Sequence, residues 1–129
     1  MNFEQRPFRL TDKDKARYTK SIEKIDLSIK GKVLENIPRK LERIAEQKHL
    51  NIFEAEVYEG VTTLFSLLNT NSEMPESLQK KILFALQYFI EAKDEVPDNL
   101  EGIGFMDDAA IILWVIEDIR LQHQQYFDA

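Results

Sequence analysis

Apolar residues along this chain recur at helical rather than strand spacing. Tyr18, Ile22, Ile25 and Ile29 fall four, three and four apart, which puts a narrow greasy seam on one face of a helix and the intervening lysines in water. Thr11 opens this first helix, its hydroxyl placed to cap free amides and Asp14 standing at the capping-box position; Gly31 ends it. A second seam, Val33, Leu34, Ile37, Leu41, Ile44 and Ala45, continues through Pro38, where a lost hydrogen bond predicts a kink or a fresh start. After a junction at His49-Leu50-Asn51, a third helix from Ile52 to Asn69 presents Phe53, Val57, Val61, Leu64, Phe65 and Leu68. Gly60 lies within it, either for close approach or at a simple cost in helix propensity. Asn69-Thr70-Asn71-Ser72 is a turn. Pro75 suits the first turn of a fourth helix, whose apolar residues from Leu78 to Ile90 wrap around more than one face and mark an inner position. The fifth starts at Asp107 or Asp108 and runs to about Tyr126. It is apolar on all sides from Ala109 to Ile116, which predicts the central helix of the domain.

No repeat or linker interrupts this pattern, so the 129 residues read as one all-α domain, a single compact bundle of about five helices, with residues 1–10 a flexible start. The 43% apolar content supplies a core. Having no cysteine excludes a disulfide scaffold, a thiolate metal site and a cysteine nucleophile. The first residues lack the apolar stretch of a signal peptide, and the longest apolar run, eight residues, is far short of the ~20 a bilayer span needs. The expectation is a cytoplasmic protein without a transmembrane segment.

Charge adds an asymmetry that the net value of −6 hides. Residues 1–50 carry 13 Lys and Arg against 8 Asp and Glu, or +5, and residues 51–129 carry 4 against 15, or −11. Most of the domain would repel phosphates, so nucleic acid is not an expected partner. The basic first helix, with Lys13, Lys15, Arg17, Lys20 and Lys24, is either a solvated face or a surface for peripheral contact with an anionic membrane or an acidic protein.

The most specific segment runs from Asp94 to Asp108, where six carboxylates occur in fifteen residues with no base among them, punctuated by Pro97, Gly102 and Gly104. Asp94, Pro97, Asp98, Gly104, Phe105, Asp107 and Asp108, with Tyr88 upstream, resemble in register the signature of the YkvA-like family, a bacterial domain of unknown function (DUF1232). The likeness covers about residues 80–116. It implies a small helical domain and no particular reaction; some relatives have membrane-associated character. Ala92-Lys93 replace the family's usual Ser-Pro, and Glu95, Asn99 and Glu101 make this connection more polar than is usual, which argues against membrane docking through it.

Two readings of the acids stand side by side. In the structural one, Asp107 and Asp108 serve a helix start, and Asp94 and Asp98 close side-chain turns around Pro97. In the other, Asp94, Asp98, Asp107 and Asp108 converge on a hard divalent cation such as Mg²⁺ or Ca²⁺, the only cofactor the sequence entertains, though the spacing matches no known calcium loop. Other chemistry is poorly supported. Gly102-Ile103-Gly104 lacks the third glycine and the preceding strand of a dinucleotide site. His49 and His123 have no serine partner in a nucleophile elbow. Asp118, about 16 Å along the helix from Asp107, cannot share its ligand shell. Tyr88, Phe89, Phe105 and Trp114 read as core. A noncatalytic interaction or regulatory module with a structural acidic loop and a protein partner ranks first. A metal-dependent hydrolase using the four aspartates and an acidic inhibitor or immunity-type protein are the alternatives.

Overall fold

A computed structural model describes residues 10–46, 52–71, 73–91 and 106–124, with the backbone alone at 53 and 106–109. It contains five helices, α1 (Asp12–Glu23), α2 (Lys30–Ala45), α3 (Ile52–Thr70), α4 (Glu76–Glu91) and α5 (Met106–Gln122), with a 3₁₀ turn, Leu27–Ile29, before α2; no strand occurs among the described residues. The helices form a compact bundle around one continuous apolar core.

The expected capping box is present at α1. The Thr11 hydroxyl accepts from the Asp14 amide at 3.0 Å and the Asp14 carboxylate accepts from the Thr11 amide at 3.1 Å. That second bond, from the Thr11 backbone, is the main reason the Asp14 carboxyl is held below its ordinary value. A depressed carboxyl contributes stability that is present above the unfolded-state pKa and lost as pH falls through the folded-state one. Asp14→Asn, which takes away the ionised acceptor and leaves the Thr11 backbone amide in place, should therefore lower the melting temperature at neutral pH. Thermal melts of the two proteins should converge as acid protonates Asp14; a gap that stays constant down to the lowest measurable pH would refute the pairing.

The first helix is shorter than its seam. α1 stops at Glu23, with Lys24 as its C-cap, because Asp26 draws the chain out of helix: its carboxylate accepts from the Ser28 amide at 2.9 Å and starts the 3₁₀ turn. The Ser28 amide is also the leading cause of a lowered Asp26 pKa. Gly31, expected as the terminator, instead lies exposed in the first turn of α2. Ile25 and Ile29 still pack inward beside Tyr18 and Ile22, so the seam survives across the break. At Pro38 no fresh start occurs. α2 runs through it, with the ring on the exposed side, where the disturbed backbone can meet water.

Burial also reassigns the centre of the bundle. α4 is the inner helix, as its apolar pattern predicts, packing against α1, α2, α3 and α5, whereas α5, expected as the central helix, has α3 and α4 as its principal neighbours. Leu78, Ile82, Leu83, Ala85, Leu86 and Phe89 of α4 are buried and point to different neighbours. The apolar run of α5 is not buried all round, since Leu113 and Trp114 are half-exposed and Leu121 is 79% exposed. α5 ends at Gln122, before the expected Tyr126. Leu10, placed by the sequence in a flexible start, is buried in the core.

α3 and α5 meet at Gly60. A Cβ at this position would lie 2.4 Å from Ile112 Cγ2 and 3.4 Å from Ile116 Cδ1, so the glycine is there for close approach.

Candidate functional site

Two long-range polar contacts fix the ends of the α4–α5 pair. Lys40 of α2, only 7% exposed, donates from Nζ to the Phe89 carbonyl at 2.5 Å and sits 4.9 Å from the centre of the Phe89 ring. Phe89 lies in the last turn of α4, where carbonyls lack helical partners and the helix dipole favours a cation. Lys80 does the same for α1, reaching the Glu23 carbonyl at 3.5 Å. Lys81 of α4 and Asp118 of α5 form an ion pair whose side chains are each about a quarter exposed, and Gln122 donates to the second Asp118 oxygen at 3.1 Å. Asp118, set apart from the loop acids by distance along its helix, is thus committed to Lys81.

Of the aspartates singled out by sequence, Asp94 and Asp98 lie outside the described residues. So do Pro97, Gly102, Gly104, Phe105 and His49. Asp107 and Asp108 belong to α5, which begins at Met106, before either of the two starts expected. They therefore occupy its first turn, where negative charge is favoured by the dipole, rather than the capping position before it. Among the described residues no three His, Asp or Glu side chains come together to hold a metal ion.

The aromatic residues divide in two. Phe89 is fully buried core. Tyr88 and Trp114 instead join Tyr18 and Phe84 in a half-buried cluster on the α1, α4 and α5 seam, with Tyr18 in the middle: 5.5 Å from Phe84, 6.3 Å from Tyr88 and 6.3 Å from Trp114, centre to centre. Tilted and edge-on rings at such separations attract through their quadrupoles. This cluster escaped the sequence reading, which treated the rings helix by helix; Tyr18 at the head of the first seam was its available signal.

Arg17 covers the outer edge of the cluster. Its guanidinium carbon lies 5.0 Å from the Tyr18 ring centre, and Nη2 donates to the Tyr18 hydroxyl and to Asp14, each at 3.3 Å. The hydroxyl contact is the first cause of a raised Arg17 pKa. Around it the α1 cations sort by direction. Lys15 turns toward the packed side, whereas Lys13, Arg17, Lys20 and Lys24, at i, i+4, i+7 and i+11, share an arc of about 60° and are all exposed. Lys13, Lys20 and Lys24 have no ion-pair partner among the described residues. No acid falls within the stripe. On α2, by contrast, exposed Lys32, Arg39 and Arg43 share their side with Glu35, Glu42 and Glu46.

Residues 81–114, from the second turn of α4 to the middle of α5, match the family described as "Protein of unknown function (DUF1232)". Over 73 residues, 51% of this chain and 67% of the relative, the sequence is 34% identical to a Bacillus subtilis (strain 168) protein described as "Uncharacterized membrane protein YkvA". No solved structure matches the chain. None of the described helices is long and apolar enough to cross a membrane.

Proposed function

The chain belongs to the YkvA-like DUF1232 family of unknown function, and from that premise we infer that it is a noncatalytic docking module held peripherally at a membrane surface. The observation that carries this reading is the exposed cationic stripe of α1, whose lysines have no ion-pair partner among the described residues. The relative's description as a membrane protein supports the location. In this reading the packed helices α4 and α5 are the rigid base. The Lys40 contact to Phe89, the Lys81–Asp118 pair and the ring cluster hold it, and Asp107 and Asp108 serve the positive end of α5.

Fractionation of cells expressing the full chain tests this. At low ionic strength it should pellet with membranes, and a wash in high salt should release it without detergent, because electrostatic docking is screened. A chain that stays in the supernatant at every salt concentration would overturn the reading, and so would one that resists both high-salt and alkaline washes. Asp107→Asn with Asp108→Asn should lower the melting temperature and leave the distribution unchanged.

A further inference from the structure

We propose that the α1 stripe, Lys13, Arg17, Lys20 and Lys24, docks directly on anionic phospholipid headgroups; this rests on the peripheral-membrane reading and names its partner. Three observations converge on a lipid surface. The stripe is straight, about 16 Å long, and lies on one convex helix that buries its other side through Tyr18 and Ile22. It therefore offers charge without a groove or an insertable apolar face. Such a surface meets a continuous plane of negative charge without needing a shaped counterpart, and an acidic protein would require one.

Its charges are available. Lys13, Lys20 and Lys24 lack carboxylate partners among the described residues, and only Arg17 is engaged, by Asp14 and Tyr18. With their C-caps, α1 and α2 each carry five bases and three acids, but on α2 Glu35 and Glu46 stand within about 40° of Arg39, whereas the exposed Glu23 stands about 60° from Lys20, so the two surfaces differ in how charge is arranged rather than in its amount.

Finally, the overall charge of −6 does not forbid the contact. The acidic excess falls in residues 51–129, of which α1 touches α4 and, at Trp114, α5, while α3 with Glu54, Glu56 and Glu59 is not among its principal neighbours. A domain of this length has a radius of gyration of about 14 Å. With α1 against a plane, acids on the far side stand beyond a Debye length of about 8 Å and are largely screened. A nucleic acid that wrapped the domain would meet them.

The full-length chain should co-sediment with vesicles of phosphatidylcholine mixed with phosphatidylglycerol, fail to do so with phosphatidylcholine alone, and be released by salt. Each cation near such a surface strengthens binding about fivefold, so Lys13→Gln, Lys20→Gln and Lys24→Gln together should weaken it roughly a hundredfold. Lys32→Gln, Arg39→Gln and Arg43→Gln, the same change in net charge, should weaken it far less. Lys20→Gln with Lys24→Gln serves as a milder variant should the triple one melt early. Equal loss in the α1 and α2 triples overturns the proposal, as does equal binding to both vesicle types or tighter binding to a DNA or RNA oligonucleotide than to the anionic vesicles. If the chain pellets with cell membranes but ignores lipid vesicles, the lipid proposal fails while the peripheral reading stands, with a membrane protein as the receptor.

Discussion

Gly60→Val should lower the stability of the domain by about 3 kcal/mol, seen as a fall of roughly 10 °C in the melting temperature. Even a single Cβ would sit 2.4 Å from Ile112 Cγ2, a methyl group on a side chain that is only 1% exposed and has nowhere to turn. Alanine makes a sharper diagnostic. It improves helix propensity by about 1 kcal/mol over glycine, whereas overpacking costs about 1–3 kcal/mol. Gly60→Ala thus comes out destabilising only if α3 and α5 are as close as the structure has them. Ile112→Ala removes the clashing methyl and alone costs about 2–5 kcal/mol through the cavity it leaves. Combined, the two should cost at least about 1 kcal/mol less than the sum of the single changes, the added methyl occupying part of the vacated space. A stabilising Gly60→Ala, or strict additivity in chemical denaturation, would show that the two helices stand farther apart.

The same contact shows what could be read from sequence. Helical periodicity located all five helices and the buried faces of α3 and α4, because Val57, Val61, Leu64 and Leu68, or Ile82, Leu83, Leu86 and Phe89, leave one geometry that buries them together. It did not decide whether Gly60 was a packing requirement, since that depends on which helix lies opposite. Termination was misread for a different reason. Tyr18 to Ile29 keeps helical spacing, but Asp26 offers the Ser28 amide a local bond that competes with the next helical turn. The placing of α5 at the centre failed because an all-apolar face count measures how much a helix can bury, not how many neighbours it has. The uniform run in α5 leaves Trp114 half-exposed, and α4, in which polar residues separate the apolar ones, touches every other helix.

For the candidate surface, the sequence supplied the cations of α1 but not their meaning. Lys13, Arg17, Lys20 and Lys24 could be placed on one side from their numbering, and Lys15 set apart from them. The freedom of the three lysines from carboxylates could not, because Asp14 and Glu23 lie in the same helix and only the folded geometry shows Asp14 given to Thr11 and Arg17. The familiar acidic signature carried the family assignment through residues 81–114, while the surface proposed to act lies on a helix outside that match.

Phe89→Ala should cost about 4 kcal/mol, enough to consume a large part of the ~5–15 kcal/mol that holds a domain of this kind folded. The ring is fully buried at the end of the inner helix, and it is also the surface on which the Lys40 ammonium rests. These contributions can be separated, because the Lys40 hydrogen bond goes to the Phe89 carbonyl and persists whatever side chain stands there. Lys40→Met keeps the stem but removes the donor, leaving that carbonyl short of a partner at a cost of about 1–3 kcal/mol. Phe89→Leu keeps an apolar side chain but removes the ring face. Any further contact of Lys40 is lost equally in both backgrounds and drops out of the double-mutant cycle, so the coupling between the two changes isolates the cation over the ring. It should be about 2 kcal/mol, at the desolvated end of such contacts. A coupling indistinguishable from zero in urea denaturation would reduce the ring contact to mere proximity. A Lys40→Met protein as stable as the parent would show that the last turn of α4 does not depend on α2, and with it would go the rigid base on which the family segment is argued to stand.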